Sequence, residues 1–263
     1  MMLQSEMPLY GLLFVAGLGA GAVDAVAGGG GLITVPTLLL SGLSPAQALA
    51  TNKLQSIGGT GSAAYSFIQS GLVDLRGLGL LITCTFVGAS GGAVAVQFID
   101  PVVLSGLIPW LLGTATVYFI LSSRLGDIDT RQRVPIKPFA FVVGGVLGFY
   151  DGFFGPGTGA FWVLALAALL GHNIRRATAE AKVLNCASNV ASLALFFWGG
   201  KIFWTAGVAM GVGQIIGARI GASLVVARGT RLVRPVLIAA SALVTAKLLA
   251  GSELGATIKR ALE

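Results

Sequence analysis

Two aspartates and two lysines lie inside otherwise apolar stretches, and their matched spacing is the first chemical signal in the chain. Asp24 precedes a glycine run in GAVDAVAGGGGLITV (residues 21–35), and Asp151 precedes another in GFYDGFFGPGTGAF (residues 148–161). Lys53 lies in ATNKLQS (50–56) with Asn52, Gln55 and Ser56 beside it; Lys182 opens KVLN (182–185), with Asn185, Ser188 and Asn189 close behind. Charge placed in hydrocarbon costs several kcal/mol unless it is compensated or snorkels. Each lysine is therefore read as a ligand for an anion or a counter-acid, against the plainer alternative of a lysine near a helix end reaching for water. Asn185 and Asn189 are one helical turn apart on one face and suit a hydrogen bond either to a ligand or to a hairpin backbone. Three readings stay open for Asp24 and Asp151: ion-pair partners of Lys182 and Lys53, proton carriers, since burial favours the neutral form of an acid, or caps for broken helices.

The glycine clusters, Gly28 to Gly31 and Gly155 to Gly159, offer a second kind of chemistry. A helix that begins at mid-membrane aims unpaired N–H groups and about half a positive charge at whatever faces it, and glycine lets an oxyanion approach the backbone closely. Helices starting near Leu32 and Thr158 present Gly29, Gly30 and Gly31 from one side and Gly157, Thr158 and Gly159 from the other. Thr34, Thr37 and Thr158 are candidate hydroxyl donors. Pro36 and Pro156 suit the first turn of a returning helix, where a missing N–H costs little. Gly88 with Gly92, and Gly213 with Gly217 and Gly221, read instead as close helix packing.

Catalytic parts are lacking, and the chain does not read as an enzyme. His172 is the only histidine, in a loop beside Arg175 and Arg176 where solvation explains it, so neither a Ser/His hydrolase nor a histidine metal site can be assembled. The GxGxG at Gly17 to Gly21 has no βαβ unit after it, and neither glycine cluster ends in the Lys-Ser/Thr of a P-loop. Cys84 and Cys186 lie in apolar spans and imply neither a disulfide framework nor zinc. No metal and no cofactor is expected.

The elements that must position these groups follow from composition. Of 263 residues 55% are hydrophobic and 10% charged, with a mean hydropathy of +0.88. That is a polytopic all-α membrane protein. Apolar runs fall near 8–27, 30–41, 47–69, 76–98 and 102–122, then near 136–152, 157–170, 178–198, 202–224 and 234–250. A net charge of +7 does not imply nucleic acid, because there is no basic stripe and no recognition motif. Residues 1–8 lack Lys and Arg, so the first run reads as part of the fold and not as a cleaved signal. Glu180, near a loop, reads as interfacial, and Arg219, in GARIGA, as a snorkelling residue.

Ten segments in two sets of five suggest a duplication. An offset of 127 takes Asp24 to Asp151 and Gly28 to Gly155, and an offset of 129 then takes Lys53 to Lys182, Gly71 to Gly200 and Gly88 to Gly217. Matched intramembrane Asp and Lys are hard to obtain by chance. The expected domains are a first repeat at 1–122, a basic linker at 123–135, a second repeat at 136–250 and a tail at 251–263. Placing the basic loops (Arg76; Arg124 to Lys137; Arg175 and Arg176; Arg228 to Arg234) in the cytoplasm makes each half a broken-helix hairpin plus three spanning helices, about eight apparent segments. The two halves are then inverted, with both termini outside the inner membrane. A deep first arm and a short return is the expected hairpin shape, its non-helical tip buried in protein or facing water.

GFYDGFFGPGTG, KVLN with Ser188-Asn189, and ATNKLQS together resemble the TauE/SafE family of sulfite and organosulfonate permeases, also called the toluenesulfonate uptake permeases. The likeness is closest to its YfcA-like branch and covers about residues 8–250. It implies a transporter built from an internal duplication, with small sulfur-containing anions as cargo. The expectation is a secondary transporter of sulfite, an organosulfonate or a related oxyanion, working by alternating access, with protons as a candidate coupling ion and the lipid bilayer as its setting. A passive anion channel and a scaffold without substrate are the alternatives, and homo-oligomerisation stays open.

Overall fold

The computed structural model describes residues 2–121 and 129–228, with side chains for 8–114 and 129–227. The expected last span, 234–250, with Arg231 and Arg234, lies outside the described residues. Every element among the described residues is helical. α1 (Met2–Ala27) and α2 (Gly31–Leu40) form a hairpin, followed by α3 (Pro45–Gln69), α4 (Leu75–Gln97) and α5 (Pro101–Leu121). The second set begins with α6 (Ile136–Phe139), which runs through a π-helical turn at Ala140–Gly144 into α7 (Gly145–Phe153); together they form one arm. α8 (Thr158–Leu170) returns from it, and α9 (Ile174–Trp198) and α10 (Trp204–Arg228) follow. The arms differ in length as expected: 26 residues in α1 against 10 in α2, about 39 Å against 15 Å.

Local chemistry sets these ends. Ser44 caps α3 with Pro45 at its first position and a reciprocal bond from Gln47, a capping box. Asn173 caps α9 by accepting the Arg176 N–H at 3.0 Å. Among the described residues five helices are long and apolar enough to cross a membrane: Pro8–Ala27, Leu75–Gln97, Ile136–Phe153, Ile174–Trp198 and Trp204–Ala227. α3 is also long enough, at 25 residues. It falls short on hydropathy because it carries Asn52, Lys53 and Gln55, all of them buried. Outward positions such as Val87, Phe141, Val146 and Val208 are apolar and exposed, as a surface against lipid requires.

Packing between the two sets is reciprocal. α1 lies along α10 of the second set, while α7 lies along α4 of the first; α3 and α9 meet at the centre, and each also touches the fourth helix of the other set. Small residues let these helices approach to backbone contact. Gly213, Gly217 and Gly221 of α10 sit on Phe14, Leu18 and Ala22 of α1, and Gly17 and Gly21 of α1 sit on Met210 and Gln214. The second seam repeats the device, with Gly88 and Gly92 against Gly145 and Phe149, and Gly148 and Gly152 against Thr85 and Ala89. Gly17 and Gly21 of the GxGxG in α1 are thus packing contacts, while a Cβ at Gly19 would meet open space. A side chain at Gly217 would overlap the Leu18 carbonyl. Gly217→Leu is expected to cost about 3 kcal/mol or more, read as a lowered thermal midpoint and loss of a monodisperse peak in detergent.

The described part of the linker is docked, not loose. Thr130 N–H donates to the Gly171 carbonyl at 2.7 Å, Arg133 N–H to the Leu169 carbonyl at 2.9 Å, and Asp129 accepts the Asn173 N–H at 2.6 Å. These bonds tie residues 129–134 to the turn between α8 and α9.

Candidate functional site

The two glycine tips meet each other. α1 ends where Gly28 turns to φ 77°, and the second tip turns at Gly155 (φ 98°) and Gly157 (φ 88°) before α8 begins. Gly28 lies backbone to backbone on Gly159, and Gly31 on Pro156, so that a Cβ at Gly28 would overlap Gly159. The left-handed φ and the close approach each demand glycine at Gly28. The tips also close several of their own N–H groups. Leu32 and Ile33 donate to the Gly29 and Gly30 carbonyls at 2.9 and 3.0 Å, and Thr158 and Ala160 donate to Gly155 and Gly157 at 3.1 and 3.0 Å.

The prolines are placed differently from the sequence expectation. Pro36 stands six residues into α2, because the helix already begins at Gly31, and it cannot supply the helical bond to the Leu32 carbonyl. Pro156 lies in the tip itself, ahead of α8, where Tyr150 Oη donates to its carbonyl at 2.9 Å. The threonine hydroxyls are turned inward: Thr37 donates to the Ile33 carbonyl at 2.7 Å, Thr158 to the Gly155 carbonyl at 2.6 Å, and Thr34 to Asn52 Oδ1 at 2.6 Å.

Beside the tips the four charges form two ion pairs, and each pair crosses from one set of helices to the other. Lys53 of α3 donates to Asp151 Oδ1 of α7 at 2.7 Å and also to the Asp151 carbonyl; Ser188 of α9 donates to Asp151 Oδ2. Lys182 of α9 donates to Asp24 Oδ2 of α1 at 2.8 Å, and Asp24 Oδ1 accepts the Gly30 N–H at 3.0 Å. Asp24 therefore pairs and caps at once. The two pairs are not equally enclosed: the Asp151 side chain is 5% exposed and that of Asp24 15%.

A small cleft opens between the tips and the two central helices, with a volume of about 20 Å³ open to the centre of a water molecule. Of the residues expected at a site, Asp24, Gly31, Asn52, Asp151, Gly157, Gly159, Asn185 and Asn189 line it. The others stand behind: Lys53 and Lys182 on the aspartates, Gly29 and Gly30 in the tip turn, Thr158 on Gly155. Thr34 and Gln55 both donate to Asn52 Oδ1 at 2.6 Å, which leaves the Asn52 NH₂ group for the cleft. Asn185 Oδ1 is buried with no partner, while Asn189 Nδ2 reaches Thr60 Oγ1 at 3.5 Å.

Thr60, which also lines the cleft, was not singled out from the sequence. Two signals point to it: Asn52, Ser56 and Thr60 recur every four residues on one face of α3, and the offset of 129 takes Ser56 and Thr60 onto Asn185 and Asn189. Glu180 is corrected from interfacial to buried, at 1% exposure. It accepts from Arg176 Nε at 2.8 Å and bonds His172 Nδ1 at 2.6 Å, so His172 is held by the fold as well as by solvent. Gly171, at φ 77°, turns the loop back to bring His172 there. No cluster of metal-ligating side chains occurs among the described residues. Arg219 is exposed.

The family model for sulfite exporter TauE/SafE matches residues 13–248. The chain belongs to the TauE/SafE family. Relatives cover nearly its whole length. A probable membrane transporter protein, YfcA, of Escherichia coli strain K12 is 48% identical over 241 residues, 92% of this chain and 90% of that protein. A probable membrane transporter protein of Haemophilus influenzae is 45% identical over 240 residues, 91% of this chain and 94% of its own. Another from Sinorhizobium sp., named ORF9, is 39% identical over 242 residues, 92% and 93% of the two chains. No solved structure matches the chain. Membership in TauE/SafE, with the apolar helices described above, makes this a multi-pass membrane protein of a transporter family.

Proposed function

We propose that the chain is a secondary transporter of small sulfur oxyanions, sulfite or a compact organosulfonate, and that the cleft beside the two tips is where the anion binds. One observation carries the reading: two lysine–aspartate pairs, one buried and one partly open, each joining a central helix of one half to the hairpin of the other. Burying Lys53, Asp151 and Lys182 as ions is expensive, several kcal/mol per ion. A scaffold is served by a sealed pair such as Lys53–Asp151, whereas two hairpins that must part and close around a charged solute need a charge that can exchange partners, as the partly open Lys182–Asp24 pair can. The family name supports sulfite as the class of cargo, and the relatives' names support transport without specifying it. Donors for an oxyanion are at hand in the Asn52 amide, Ser56 and Asn189. The matched offsets and the reciprocal helix packing support two inverted repeats working by alternating access. On this reading the basic loops lie in the cytoplasm of a bacterial inner-membrane protein.

The decisive experiment is a panel of sulfite, methanesulfonate, taurine, sulfate and chloride, tested for thermal stabilisation in detergent and for flux in liposomes. Saturable flux and stabilisation by at least one sulfur oxyanion, with chloride weak, is the expected result. Flux that fails to saturate across the panel would point to a channel, and no flux with no stabilisation would leave a scaffold.

A further inference from the structure

We propose that each monoanion crosses together with one proton and that Asp24 is the residue that carries it. This rests on the transport reading above and adds the coupling ion. The charges at the cleft cancel: Lys53 and Lys182 are matched by Asp151 and Asp24, each lysine in contact with one carboxylate. An anion entering this neutral arrangement meets two carboxylates and, among the described residues, no spare cation. The tips do not make up the difference, since several of their N–H groups are closed on their own carbonyls. A cation becomes available only when one carboxylate is neutralised.

The geometry selects which one. Asp151 is held by Lys53, by the Ser188 hydroxyl and through its own carbonyl, and Tyr150 beside it is fixed by its bond to Pro156 and by edge contacts with Phe154 and Phe161. Both carboxylates line the cleft, but Asp24 has only one ion pair and one backbone N–H and is the more exposed of the two. The charged groups near Asp24 among the described residues are Lys182 on α9, Asp151 on α7 and Lys53 on α3; α2 and α8 carry none, and Arg219 on α10 is exposed. A proton from water bonds to Asp24 Oδ2, the Lys182 ammonium gives up that oxygen, and the anion takes its place as the lysine's partner. When the anion leaves, Lys182 returns to Asp24 and the proton goes back to water.

Methanesulfonate is the probe, because it stays a monoanion across the working pH range and pH then acts on the protein. Full-length protein in liposomes with a pH dye inside should acidify the lumen by one proton per methanesulfonate entering. Accumulation should approach about tenfold per unit of pH gradient, with no response to a clamped voltage. In Asp24→Asn the proton-to-anion ratio should fall from one toward zero, while Asp24→Glu, which keeps a carboxyl, should retain coupling at a lower rate. Methanesulfonate flux in the wild type without protons, or driven by voltage, overturns the proposal, and so does an Asp24→Asn variant that still moves protons. If Asp24→Asn does not assemble, the wild-type ratio and the Asp24→Glu variant decide. Failure of both methanesulfonate and sulfite to move at all would instead overturn the transport reading itself.

Discussion

Lys182→Ala abolishes oxyanion flux, by at least about a hundredfold, while leaving a folded protein: this is the first result the site geometry leads us to expect. Lys182 is fully buried, and its one cation faces Asp24 at the cleft. Truncating one member of a desolvated charge pair costs about 2 to 5 kcal/mol in binding, and about 3 kcal/mol is a hundredfold. The fold survives because Asp24 keeps its Gly30 bond and enough exposure to take water or a proton. Liposome flux and detergent melting measured on one preparation separate the two effects. Asp24→Leu combined with Lys182→Met sharpens the test: an apolar replacement of a buried pair is often neutral for stability, so this variant should melt near the wild type and still not transport. Wild-type flux in either variant would remove Lys182 from the site.

The other pair should behave in the opposite way. Lys53→Ala leaves Asp151 as a buried carboxylate at the base of the second tip, and breaking a buried pair in this manner costs about 3 to 5 kcal/mol. That is a large share of the stability of any domain. Expression in membranes, recovery in detergent and thermal midpoint should all fall sharply. Lys53→Met with Asp151→Leu should recover most of the loss in stability. Two pairs of the same composition thus separate by environment, one sealed and structural, the other partly open. Equal melting losses for Lys53→Ala and Lys182→Ala would contradict that division.

Much of this was legible in the chain because hydrocarbon makes charge conspicuous. Asp24, Lys53, Asp151 and Lys182 stand out against apolar neighbours, and pairing of Asp24 with Lys182 and of Asp151 with Lys53 was among the three readings the residues allowed. Helix limits were legible for similar reasons: Ser44-Pro45 and Asn173 are capping signals, and the described helices start and end within a few residues of the apolar runs. What was not legible depends on contacts between distant segments. Glu180 read as interfacial because its closeness to a loop hides its burial; its partners are local, Arg176 one turn back on α9 and His172 at the turn before it. Pro36 and Pro156 were misplaced because the tip geometry, and not proline preference, decides where α2 and α8 begin. Thr60 resembles any threonine on a polar helix until α3 and α9 are laid side by side. That Gly28 would rest on Gly159 could not be read at all, since a residue without a side chain leaves no pattern in composition.

The crossed packing of α1 on α10 and α7 on α4 has a consequence for how the protein is made. The groove that receives α1 is absent when α1 enters the membrane, and α10 is synthesised roughly 180 residues later, about 10 to 40 s at about 5 to 20 residues/s. During that interval Gly17 and Gly21 face lipid and Asp24 has no lysine. Insertion must therefore be followed by a waiting period in which the first helix is vulnerable to membrane proteases or needs a holding partner. Truncated chains ending before Trp204 should be degraded from their amino-terminal end, while the finished protein resists.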